Sequence, residues 1–210
     1  MNLRLFDYWR SSASYRVRIA LALKQLAYER VSVDLVAAEQ FGPENRARNP
    51  QAQVPTLEAD GVPMIQSIAI IEWLDATFPE PRLIPAEPAA RARAIAQALL
   101  IAADIHPLNN LRVLKRLEAQ FGADQAAKDI WYRATIAPGF TALEALAGDG
   151  PFLGGEAPGI ADVCLVPQMF NARRFAQPLN DYPRLVAIDA AACALPAFIA
   201  AHPDRARPPR

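Results

Sequence analysis

Over the first eighty residues the spacing of apolar positions changes repeatedly. "LRLFDYW" (3–9) reads as a short strand ending at Trp9-Arg10, and residues 12 to about 26 as a helix with Val17, Ala20, Leu21 and Leu23 on its apolar side. "YERVSVDL" (28–35) alternates polar and apolar, the period of a half-buried strand. After a polar connection, "VPTLEA" and "VPMIQ" are short extended runs joined by Asp60-Gly61, a hairpin signal. "SIAIIEWLDATF" (67–78) restores helical spacing before Pro79. The elements run β-α-β, a polar connection, then β-β-α.

"PEPRLIPAEPAA" (79–90) is a linker, because its prolines deny donors to helix and ladder alike. Beyond it the pattern is helical near 87–120, 123–146, 160–176, 182–194 and 196–202, with Gly and Pro between. Pro107, Pro138 and Pro167 fall inside helical patterns and predict kinks or helix starts. The switch from mixed to all-helical spacing near residue 85 predicts two domains, 1–81 and 88–207. The tail "PDRARPPR" (203–210) is expected to fray.

Composition narrows the function classes. The 210 residues are 52% hydrophobic with a formal net charge of +0, an ordinary globular balance without the basic excess of a nucleic-acid binder. "MNLRLFDYW" lacks a signal peptide's apolar run and no later stretch could span a bilayer, so a cytoplasmic protein is expected. Cys164 and Cys193 have no metal or disulfide spacing and are read as reduced core residues. With two histidines and no ligand motif, no metal is expected.

"RSSASYRVRIALALK" (10–24) carries candidate chemistry. Ser11 or Ser12 can cap the helix, a contribution of about 1 kcal/mol, and on spacing alone capping is the simpler reading. Yet this cap sits at the carboxyl end of a strand, where helix N–H groups and the dipole receive anions such as a thiolate. "QVPTLEADGVPMIQSIAIIEWL" (53–74) adds a proline that can be cis and leaves the Val54 backbone to pair with a peptide-like ligand. It also adds Gln66-Ser67 at a second helix start, with Ser67 expected at the N-cap. Two helix starts and a strand edge at one end of a sheet suit a short peptide bearing a carboxylate and a thiol, the shape of glutathione.

Together "RSSASYRVRIALALK", "NPQAQVPTL", "QSIAIIEWL", "HPLNN" and "ADVCLVPQMFNARRF" resemble the zeta-class glutathione transferases, which include maleylacetoacetate and maleylpyruvate isomerases. The resemblance covers nearly the whole chain. It implies a thioredoxin-like N-terminal domain (β-α-β-α-β-β-α), an all-helical C-terminal domain, glutathione as cofactor and a homodimer. By motif, Ser11 resembles the hydroxyl that stabilises the glutathione thiolate, with Ser12 and Arg16 in the same helix start. Gln40 looks like the family's glutamine in the polar connection. Val54 would pair with the ligand backbone, and Gln66 with Ser67 would hold its γ-glutamyl end.

In the helical half, His106 and Asn110 are four apart and are expected on one helical face, which the resemblance places near glutathione together with Arg112. Adjacent Arg173 and Arg174 cannot face the same way; family position favours Arg174 for the site and leaves Arg173 a surface charge. Arg10, beside the serine pair, is the other candidate cation for a dicarboxylate substrate. "GIADVCLVPQ" (159–168) resembles a capping box with Gly159 where Ser or Thr is usual, and Asp162 retains half of the reciprocal pair.

One departure stands out: the family commonly has Cys after the serine pair and Trp two positions later, where this chain has Ala13 and Tyr15. The expected activity is glutathione-dependent cis–trans isomerisation of maleylacetoacetate or maleylpyruvate in aromatic catabolism. Conjugation or dehalogenation of small electrophiles through the same thiolate is one alternative, and a binding protein without turnover another.

Overall fold

A computed structural model describes residues 1–208 and divides into two compact units, 1–82 with the chain from Ala194 onward, and 83–193. The first unit holds β1 (Leu3–Asp7), α1 (Ser12–Leu23), β2 (Glu29–Ser32), a 3₁₀ turn (Glu39–Phe41), α2 (Pro43–Arg48), β3 (Thr56–Ala59), β4 (Val62–Ile65) and α3 (Ser67–Thr77). The sheet order is β2-β1-β3-β4, with β1 parallel to β2 and antiparallel to β3, and β3 antiparallel to β4. This is the expected thioredoxin-like arrangement. Asp60 and Gly61 take positive φ (48° and 84°), as a tight hairpin between β3 and β4 requires.

Leu5, Phe6 and Leu57 from the sheet, Val17, Ile19 and Leu21 from α1, and Ile70, Ile71 and Leu74 from α3 form the core of this unit. Two buried cations stitch it. Lys24, capping α1, donates to the Asp75 carboxylate (2.9 Å) and to the carbonyls of Phe78 (2.6 Å) and Pro81 (2.9 Å), so it also closes the end of α3. Arg18 donates to Asp7 Oδ2 (2.6 Å), and Arg30 takes the other oxygen (2.7 Å). Burial pulls the Arg18 guanidinium below its ordinary range while Asp7 pushes it back.

The C-terminal end corrects two expectations. Helices α9 (Pro196–Ala201) and α10 (Pro203–Ala206) belong to the first unit, not to an 88–207 domain, because α9 packs on α1 and buries Phe198. The expected frayed tail is helical and buries Pro203 and Ala206; residues 209–210 lie outside the described residues. His202, just before that tail, stands edge-on to Tyr15 at 6.1 Å.

The second unit contains α4 (Pro88–Leu99), a π-helical segment (Leu100–Ile105), α5 (Leu111–Phe121), α6 (Gln125–Leu146), α7 (Ile160–Arg174) and α8 (Pro183–Cys193). Helix α7 is its centre: only Phe170, Arg173 and Arg174 of its fifteen residues escape burial. The Asp162 carboxylate accepts from the N–H groups of Leu153 (2.7 Å), Gly154 (3.0 Å) and Gly159 (2.9 Å), so the half capping box forms. Gly159 has a packing reason, since a Cβ there would lie 3.1 Å from the Leu83 carbonyl oxygen. Pro138 and Pro167 sit inside α6 and α7 and start neither helix.

Candidate functional site

Register brings the candidate groups of the first unit to one end of the sheet. Phe6, near the end of β1, pairs with Thr56 at the start of β3, and Thr56 pairs with Ile65 at the end of β4. The segments holding Ser11, Val54 and Gln66-Ser67 therefore all leave the sheet at that end.

Ser11 is the N-cap of α1, and its hydroxyl oxygen accepts from the Ser14 N–H at 3.2 Å. That bond uses an acceptor lone pair and leaves the O–H as a donor. Ser11 is half-buried, Ser12 buried, and the Ser12 and Ala13 N–H groups share the first turn. The bond between Val54 and Pro55 is cis. Among the described residues the Val54 N–H and C=O take no part in the ladder or turn hydrogen bonds.

At the second helix start the expectation shifts by one residue. Gln66, not Ser67, is the N-cap of α3, with φ 70°, and Ser67 is the first helical residue. The Gln66 side chain makes no cap bond; its amide nitrogen donates to Gln51 Oε1 at 2.8 Å. No side chain caps the first N–H groups of α3 among the described residues, a helix start of the kind that receives anions, and the buried Arg16 guanidinium donates to Ser67 Oγ at 3.3 Å. Gln40 is half-buried, with an amide oxygen that is buried and makes no hydrogen bond among the described residues.

These groups fit glutathione by the chemistry of the donor set: helix N–H groups beside a buried cation for a carboxylate, an open backbone pair for a peptide, and a hydroxyl donor for a sulfur. Sequence reasoning missed Gln51, whose signal is absent because its contact with Gln66 spans fifteen residues of chain.

The helical unit departs further from expectation. His106 and Asn110 do not share a helical face: the π-helical segment ends at Ile105, a turn follows through Pro107, and Asn110 begins a new helix. Pro107 has no N–H to continue the ladder. Asn110 caps α5 by accepting the Arg112 N–H at 3.1 Å, and Arg112 itself is exposed. Arg174 is exposed, lies 4.9 Å over the Phe175 ring, and lines a cavity of about 420 Å³ with Leu111, Leu114, Lys115, Lys128 and Phe175. Arg173, expected as a plain surface charge, pairs with the buried Asp189 carboxylate at 2.6 Å.

Neither thiol is a nucleophile candidate. Cys164 is buried in α7; Cys193 is exposed at the end of α8 rather than in the core, and partial desolvation of its sulfur together with the neighbouring Asp189 carboxylate pushes its thiol up to about 11. Among the described residues no cluster of ligating side chains could hold a metal.

Residues 1–76 match the model of the glutathione S-transferase N-terminal domain, and residues 88–187 that of the C-terminal domain. The maleylacetoacetate isomerase of Rhizobium meliloti (strain 1021) is 48% identical over 207 residues, covering 97% of each chain. A holo structure of a maleyl pyruvate isomerase, described as a bacterial zeta-class glutathione S-transferase, superposes with a TM-score of 0.94 at 44% identity, covering 96% of this chain and 97% of that one. The maleylacetoacetate isomerase of Anaeromyxobacter dehalogenans, with glutathione bound in its active site, superposes with a TM-score of 0.87 at 47% identity, covering 97% and 96%.

Proposed function

From a chain that belongs to the glutathione S-transferase family, on its zeta-class isomerase branch, we propose a glutathione-dependent cis–trans isomerase of maleylacetoacetate or maleylpyruvate. The observation that carries this reading is the convergence of Ser11, Val54 and the start of α3 at one end of the sheet. Glutathione, when bound, supplies a thiolate that adds to the conjugated double bond and leaves after the bond has rotated.

The chain's own residues then have defined tasks. The Ser11 hydroxyl donates to the sulfur and, with the first-turn N–H groups including that of Ser12, favours its ionised form. Val54 pairs with the ligand backbone and Gln40 accepts a peptide N–H. Gln66, Ser67 and the α3 start hold the γ-glutamyl carboxylate, with Arg16 adding its charge. Arg10 and Arg174 are the cations assigned to substrate carboxylates, and His106, Asn110 and Arg112 are the helical unit's assigned ligand groups. We read the protein as a cytoplasmic homodimer; exposed Val36, Phe41 and Val62 give the first unit apolar surface for a second copy.

The test is a glutathione-dependent assay on both substrates. Isomerisation without net consumption of glutathione is expected. Consumption of glutathione into an adduct would transfer the reading to conjugation. Absence of both turnover and glutathione binding would leave a non-catalytic protein.

A further inference from the structure

The C-terminal segment carries a second arginine back to the serine turn. After α10 ends, the Arg207 guanidinium carbon lies 5.1 Å from the ring centroid of Trp9, and that of Arg10 lies 5.4 Å from the same ring. The position is built. Arg18, buried beneath, donates with one guanidinium to the Trp9 carbonyl (2.9 Å), the Ala201 carbonyl (3.1 Å) and Asp7 (2.6 Å). One side chain thus fixes both the turn after β1 and the end of α9. His202 against Tyr15, and the buried Pro203 and Ala206, hold the segment between Ala201 and Arg207.

Both Arg10 and Arg207 are exposed, and among the described residues neither has a carboxylate at ion-pair distance. Two like charges gathered on one indole repel each other, although the ring face favours each singly. An anion between or beside them removes that repulsion, and a guanidinium fork matches a carboxylate. Trp9 and Arg10 lead directly into Ser11. The γ-glutamyl carboxylate of glutathione already has donors at the start of α3, and Arg10 adjoins Ser11 at the sulfur's end of the ligand, where the reacting substrate must lie, so the anion that suits this pair is the substrate's.

We infer that Arg207 is a further substrate-binding residue, which with Arg10 at Trp9 takes a carboxylate of an acidic substrate held beside Ser11. This rests on the reading of the serine turn as the place of the reactive sulfur. It makes the segment that follows α10 part of substrate recognition, and it favours dianionic substrates over neutral electrophiles of the same size.

Calorimetry on the glutathione-loaded protein tests it with succinate, a four-carbon dicarboxylate that lacks the reactive double bond. Arg207→Gln should weaken succinate binding about tenfold, Arg207→Lys should recover part of the loss, and Arg205→Gln should match the unaltered chain. Glutathione affinity should be the same in all four proteins. Equal succinate affinity in R207Q and the unaltered chain would overturn the inference, as would a failure of the unaltered chain to bind succinate. Failure of the isomerase reading shows separately, as lack of turnover of either maleyl substrate by the unaltered chain, and leaves the calorimetric comparison intact.

Discussion

Ser11 reconciles two roles that the sequence sets against each other. Its oxygen accepts the Ser14 N–H as any N-cap does, and its hydrogen stays free for a sulfur. Two substitutions separate the roles. Ser11→Ala removes both, so stability should fall by about 1 kcal/mol and turnover should fall as well. Ser11→Asp keeps the cap but sets a negative charge beside the thiolate. It should hold the melting temperature near that of the unaltered chain while lowering kcat/KM about a hundredfold, the effect of returning roughly two pKa units. Thermal denaturation and steady-state kinetics on the two variants check this; S11D with full turnover would remove Ser11 from the chemistry. The Ser11 cap, the cis Val54-Pro55 bond and a helix start at Gln66-Ser67 were legible because turn and cap chemistry is local. Arg18 and Arg207 were not. "RVRIALALK" shows arginines inside an apolar helix, a hint of burial, but nothing local names the carbonyls they reach.

At the scale of elements, periodicity locates every strand and most helices, and its failures have physical causes. The pattern near 87–120 reads as one helix but is three segments, because the hydrogen bonds widen to π spacing at Leu100 and Pro107 supplies no donor beyond Ile105. Helix α5 shows the opposite problem, with a clear apolar side yet no buried residue, so amphipathicity alone does not tell how deeply a helix packs. Helix α7 depends on one carboxylate. Asp162 is buried, which pushes its carboxyl up against the pull of the N–H groups it accepts from. Asp162→Ala strands the donors of Leu153, Gly154 and Gly159, and should cost about 3 kcal/mol in denaturant unfolding, with Asp162→Asn falling between. The same loss in both variants would mean that the oxygen acceptors contribute little.

For the whole molecule, the sequence reading recovered the two-part fold from the change of hydrophobic period near residue 85. It misplaced the end of the chain, because α9 looks like any other short helix and α10 reads as a fraying tail; only the packing of α9 on α1, and of α10 on α9, assigns them to the first unit. That return gives the serine turn a second support through Arg18 and brings Arg207 to Trp9. With Ala13 in place of a cysteine, and with Cys164 buried and Cys193 held protonated, the reactive sulfur comes from the ligand and the fold's task is to ionise it. The most direct measurement is the pKa of the glutathione thiol in the complex, followed by thiolate ultraviolet absorbance across pH. The bound thiol should titrate about two units below that of free glutathione, and should move most of the way back in Ser11→Ala. A bound thiol that titrates where free glutathione does, or one unmoved by Ser11→Ala, would contradict it.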